Sequence, residues 1–126
     1  MSSANLRLVP IYTTRGDLGA ILRYPYLFNP SGEWIGWVTA EREVYSIYGS
    51  FVGHISKEWR IIRSRSLEAT HPTRQPPRDP GCLTPPTHFP LPPMMAELTY
   101  NQMDVLEEAP GLLAPADSGE FKPDLE

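Results

Sequence analysis

A pair of glycines recurs at a near-constant step in this chain, and that recurrence restricts the fold more than any other feature. An aromatic residue, three residues, a glycine, two or three residues and a second glycine appear three times. The units run from Tyr12 through Gly16 to Gly19, from Phe28 through Gly32 to Gly36, and from Tyr45 through Gly49 to Gly53. The first glycines lie 16 and 17 residues apart and the second glycines 17 and 17, in a chain with only nine glycines. Repetition at a fixed period is how a chain announces that one structural unit has been copied.

Each unit reads as a β-hairpin. The segment Asn29-Pro30-Ser31-Gly32 has strong turn chemistry, because proline presets φ at the first corner and glycine takes the left-handed position that follows. Thr14 to Asp17 and Ile47 to Ser50 fill the same slot with poorer corner residues but keep the glycine. The return strands, Trp34 to Thr39 and Phe51 to Ser56, supply the β-branched and aromatic residues that suit a pleated surface. Gly19, Gly36 and Gly53 lie within those strands, where glycine serves a bulge, a bend or the close approach of another backbone. Three equivalent bends curve a sheet in one direction.

A fourth unit is degenerate: Trp59 to Arg65 is a convincing strand, but no glycine turn follows it. Leu6 to Tyr12 is also strand-like, and Pro10 places part of it at an edge. The expected fold is therefore all-β, a small pseudo-fourfold antiparallel barrel of repeated hairpins. Pairing of first and last strands would close or nearly close it and remove its open edges. The barrel is expected to occupy residues 1–70, with repeats near 9–25, 26–42 and 43–59 and the degenerate one at 60–70.

These hairpins, opening with Val9-Pro10-Ile11-Tyr12, resemble the fourfold β-flower proteins over roughly residues 7–66. That family comprises small bacterial proteins with a shallow, symmetric all-β barrel and no characterised activity. The resemblance implies the barrel and transfers no catalytic residue.

Composition shifts sharply after residue 70. Nine of the fifteen prolines fall between Pro72 and Pro93, so residues 71–93 read as an extended, semi-rigid linker. Residues 94–126 carry eight acidic side chains against Lys122 alone and read as a largely disordered acidic tail. Residues 1–70 carry eight Lys+Arg and six Asp+Glu (net +2), and residues 71–126 three and nine (net −6), so the overall charge of −4 belongs to the tail. Within the tail, residues 95–108 place Met95, Leu98, Met103 and Leu106 near one helical face, a short helix suited to docking on another protein, on this barrel or on a neighbouring subunit.

Catalytic and metal signatures are absent from the sequence. Cys82 is the only cysteine and sits in the proline segment, which rules out a disulfide framework. His54, His71 and His88 would form a metal site only if linker and barrel converged. Arg15-Gly16-Asp17 spells an adhesion tripeptide, but the repeat already accounts for Gly16. The basic strand Lys57 to Arg65 reads as an edge guarded by charge rather than as a nucleic-acid surface, and the acidic tail offers its arginines an alternative partner within the chain. Arg74 to Pro80 fits the basic-xx-Pro-xx-Pro pattern of proline-recognition ligands, a match that a proline-rich segment produces by chance. Residues 1–7 lack the apolar core of a secretion signal and no stretch approaches a membrane span, so a cytoplasmic protein without cofactor is expected.

Two readings of function follow. One is a non-catalytic interaction or scaffold module that self-associates or holds an unknown protein partner, with the acidic tail as a docking element. The other is a binder of a small apolar ligand or lipid along an aromatic-lined axis, with Trp34, Trp37, Phe51 and His54 as the candidate contacts.

Overall fold

The computed structural model describes residues 7–65 and 71–116. Eight antiparallel strands form one sheet in sequence order: β1 (Val9–Tyr12), β2 (Leu18–Arg23), β3 (Tyr26–Phe28), β4 (Trp34–Val38), β5 (Glu43–Ser46), β6 (Phe51–Ile55), β7 (Ile61–Ser64) and β8 (Gln102–Asp104). A single helical turn, α1 (Val105–Glu108), and a 3-10 turn at Pro110–Leu112 follow. The four hairpins β1–β2, β3–β4, β5–β6 and β7–β8 are the fourfold repeat. The fourth is completed from a distance, since residues 65–101 are inserted where its tight turn would stand.

Five turns of one design shape the sheet. In each, the first residue's N–H donates to the carbonyl four residues on, and its own carbonyl accepts from the N–H three residues on. The first residues are Thr13, Asn29, Thr39, Ser46 and Ser56. Their side-chain oxygens also accept the amide N–H four residues later, at 2.9 to 3.2 Å, which pins the loop from inside. This is the type I turn with a left-handed fourth residue that joins antiparallel strands with a bulge. Gly16, Gly32 and Gly49 fill that position with φ of 93°, 91° and 91°. Arg42 (φ 69°) and Trp59 (φ 64°) fill it without glycine, and the Arg42 guanidinium lies 4.7 Å over the Trp59 ring.

After each hairpin turn the register slips by one residue, between Ile11 and Tyr12, Leu27 and Phe28, and Val44 and Tyr45. The second glycines sit close to this slip but not all at one place. Gly36 and Gly53 lie opposite Leu27 and Val44, whereas Ala20, not Gly19, lies opposite Ile11. A Cβ at Gly36 or Gly53 would stand 2.5 or 2.3 Å from the carbonyl of Tyr45 or Ile62. At Gly19 it would meet the Leu106 side chain at 2.7 Å instead.

The concave side is filled by aliphatic side chains, among them Ile11, Leu22, Leu27, Ile35, Val44 and Ile61, and is plugged by Val105 and Leu113 from beyond β8. The expected closure of the barrel does not occur. The sheet is an open half-barrel, and β1 and β8 share no ladder. β8 is only three residues long and turns at once into α1, so it offers β1 no continuous edge. Pro10, two residues before a Tyr12 N–H that points away from β2 to the Trp59 carbonyl (3.0 Å), has no donor to give on that side. The gap is crossed by side chains: Asp104 accepts both the N–H and hydroxyl of Thr14 at 2.7 Å, and the buried Arg60 guanidinium reaches the same hydroxyl at 3.0 Å.

The segment after residue 70 also differs from expectation. Residues 71–93 do not stand off as a spacer but form a strap across the hairpin turns. The Arg74 N–H donates to Gly49 O (3.0 Å) and the Leu83 N–H to Gly32 O (2.8 Å), while Pro92 faces Gly16. The contacts at 74, 83 and 92 fall nine residues apart, and Pro76-Pro77 and Pro85-Pro86 repeat at the same step. The proposed helix at 95–108 shrinks to Val105–Glu108, because Gln102–Asp104 pairs with β7 instead. A large part of the predicted acidic tail thus folds against its own sheet; residues 117–126 lie outside the described residues.

The tail is fastened by charge as well. Arg65 donates to both carboxylate oxygens of Glu108 at 2.9 Å and holds that carboxyl below its usual range; within the sheet Arg60, donating to one oxygen of Glu58 at 3.2 Å, also lowers that carboxyl. A carboxylate more acidic in the folded chain stabilises it above the unfolded pKa, and that contribution is lost as pH falls through the folded value. The melting temperature should therefore drop as pH falls below about 4.3. Replacing Glu108 with Gln should flatten part of that acid limb, and identical pH profiles for the two proteins would show that the pair contributes nothing.

Candidate functional site

The repeats place a shallow cleft on the outside of the third hairpin, of about 350 Å³. β5 and the turn before it supply Glu41 and Glu43, β6 supplies Phe51, Gly53 and His54, and β7 supplies Ile62, Arg63 and Ser64. His71, where the strap begins, closes one side. Strand register explains the grouping, since His54 lies opposite Glu43 on one neighbour and Ile62 on the other. Gly53 keeps the floor low.

The ring of His71 stacks on Phe51, with centroids 3.6 Å apart and planes at 5°. Its Nδ1 is buried and has no hydrogen-bond partner among the described residues. A buried polar atom without a partner costs roughly 1–3 kcal/mol, which makes it the most conspicuous unfilled valence in the cleft. Arg63 is already committed, donating to the carbonyls of Phe51 (3.2 Å) and Val52 (2.9 Å). Glu43 accepts from the Tyr45 hydroxyl at 3.3 Å and lies 3.9 Å from the Arg74 guanidinium. Burial first, and then the Glu43 charge, raise the Tyr45 hydroxyl above the ordinary phenol value, so it remains a donor.

Two of the four aromatic or imidazole candidates therefore meet, Phe51 and His54, and the other two lie elsewhere. Trp34 lines a second cleft of about 260 Å³ with Glu33, Asp79 and Cys82, and its indole N–H donates to Gly36 O at 2.6 Å. Trp37 is buried, stacked 4.9 Å from Tyr45, and donates to Ser46 O at 3.1 Å. None of the four is in the concave core, which is aliphatic. The turn glycines Gly16, Gly32 and Gly49 act on the strap, as described above.

Sequence reasoning weighed His71 only as a conditional metal ligand and did not foresee its stacking on Phe51, because it falls in a segment read as linker. The step of nine in the proline pairs was the available sign that this segment follows the repeats. No group of three His, Cys, Asp or Glu side chains is placed to hold a metal ion among the described residues. A hydroxyl and an imidazole meet within hydrogen-bond distance at Thr87 and His88 (3.0 Å), but these are exposed neighbours on the strap. No helix of the described residues is long and apolar enough to cross a membrane.

The chain matches the family described as 4-fold beta flower protein over residues 9–106, and it belongs to that family. The matched span takes in the strap, β8 and the first residues of α1. No curated protein and no solved structure matches the chain.

Proposed function

We propose that this member of the 4-fold β-flower family is a non-catalytic interaction or scaffold module, presenting its outer surface to a protein partner or to further copies of itself. The observation that carries the reading is that the chain covers its own sheet on two sides. Val105 and Leu113 plug the concave core, and the strap lies over the turns of three hairpins. In this reading the acidic tail docks first on its own sheet, through Asp104, Glu107 and Glu108, and keeps the module intact. What is left to a partner is the apolar surface the fold does not use: Tyr24, Tyr48, Leu91, Met94 and Tyr100.

Native mass spectrometry of the purified full-length chain tests this. The expected spectrum holds the mass of the chain or whole multiples of it. A reproducible extra mass would overturn the reading in favour of a second one, a binder of a small, largely apolar ligand. That alternative rests on the Phe51–His54–His71 cleft and the unpartnered Nδ1 within it.

A further inference from the structure

The strap carries a surface of its own, and the geometry points to a docking ridge at Pro90–Met94 for a protein with an aromatic-lined, proline-reading groove. This rests on the interaction reading above and names the kind of partner. From residue 89 onward one residue in three faces the sheet: Phe89, Pro92, Met95 and Leu98 are half-buried, and every residue between them is exposed. That is the period of a polyproline II helix laid along a surface.

The backbone of this segment is pinned at several points. The Tyr12 hydroxyl donates to Pro90 O, and Arg60 Nη2 donates to Ala96 O at 2.9 Å. The two carbonyls are six residues apart, two turns of such a helix, and Pro92 lies against Gly16 between them.

With one row held, the other two rows point outward. One carries Pro90 and Pro93 and the other carries Leu91 and Met94, which are 90% and 92% exposed. Proline-reading grooves take two such rows between aromatic rings, and a ligand already fixed in shape gives up little entropy on binding. The segment that fits the sequence pattern best, Arg74 to Pro80, is spent on the fold instead. The Arg74 N–H is bonded to Gly49, and its guanidinium lies 5.4 Å over the Tyr45 ring.

Charge sets the rim of the partner's groove. No Lys or Arg occurs between Arg78 and Lys122, and the exposed Glu97 follows the ridge. The groove therefore has a neutral or basic rim, unlike those that select an arginine beside the prolines.

Purified SH3, WW and EVH1 domains titrated against the full-length protein by calorimetry test the assignment. At least one class should bind, and Leu91→Ser with Met94→Ser should weaken it on the order of tenfold or more. The melting temperature should stay unchanged, because both side chains are exposed, and Arg74→Ala should leave the affinity intact. Absence of binding by all three classes would overturn the ridge, as would binding that survives the double substitution or is lost with Arg74→Ala alone. Light scattering of the same variant separates the remaining occupant: a homo-oligomer that dissociates would mean the ridge serves a second copy, against the partner assigned here. Each of these failures leaves the interaction module standing, whereas a bound extra mass in the native spectrum removes it.

Discussion

A chain ended at Pro93 should show no cooperative unfolding transition. The cut leaves seven strands and the turn tips intact, yet it removes β8 from the free edge of β7 and both plugs from the core. Val105 is fully buried and Leu113 nearly so, and each side chain is worth about 1.5–3 kcal/mol by the area it removes from water. Asp104 takes with it two hydrogen bonds to Thr14, each to a charged acceptor and worth about 1.5–3 kcal/mol. Arg60, 1% exposed, loses the Ala96 carbonyl and keeps its charge in the core. Together these losses are on the order of 6–12 kcal/mol against a usual domain stability of about 5–15 kcal/mol. Thermal scans by far-UV circular dichroism on the two chains read the outcome. A truncated chain melting within a few degrees of the full one would show that the hairpins sustain themselves and that the tail is an accessory.

Much of this architecture was legible from glycine spacing alone, because Gly16, Gly32 and Gly49 occupy a slot whose left-handed backbone glycine fits best. The same spacing hid the two turns whose left-handed residue is Arg42 or Trp59. A better index was the first turn residue, always Thr, Asn or Ser, since its side-chain oxygen closes all five loops. The fourth hairpin was beyond local reading. Its two strands, Ile61–Ser64 and Gln102–Asp104, are separated by residues whose composition speaks of a linker, and pairing at such a distance leaves no periodic trace. Met103 and Leu106 were placed on one helical face by a period of about 3.6 residues, but strand pairing with β7 outweighed that weak helical preference.

The site was less legible than the fold for a related reason. Phe51 and His54 could be found because they sit at repeat-equivalent strand positions, but aromatic residues along a repeat say nothing about which face they take. The aliphatic residues took the concave side, as small curved cores favour, and the aromatics went outward to be covered by the strap. His71 belongs to that covering layer, Asp104 to the strand that bridges the gap to β1, and Leu113 to the plug of the concave core. Their roles come from what they touch far away in sequence, which no local pattern records.

Alanine at Gly32 or Gly49 should destabilise the protein far more than alanine at Gly16, although all three hold nearly the same backbone angle. The left-handed strain is common to them, about 1–2 kcal/mol for a residue with a Cβ. The surroundings differ. A Cβ at Gly32 would stand 1.8 Å from the Leu83 carbonyl oxygen, and one at Gly49 would stand 2.1 Å from that of Arg74. These neighbours are backbone and cannot swing aside, so the strap must lift and give up its hydrogen bond to the glycine carbonyl. Strain plus a lost bond and lost packing amount to about 3–4 kcal/mol. At Gly16 the nearest atom is Pro92 Cγ at 3.4 Å, an ordinary contact, so only the strain remains. Denaturant unfolding of the three variants tests the order. Amide exchange tests the cause, because Gly32→Ala should release the Leu83 amide while Arg74 stays protected, and Gly49→Ala should do the reverse. Equal losses at all three positions would mean that the turns, and not the strap they hold, set the cost.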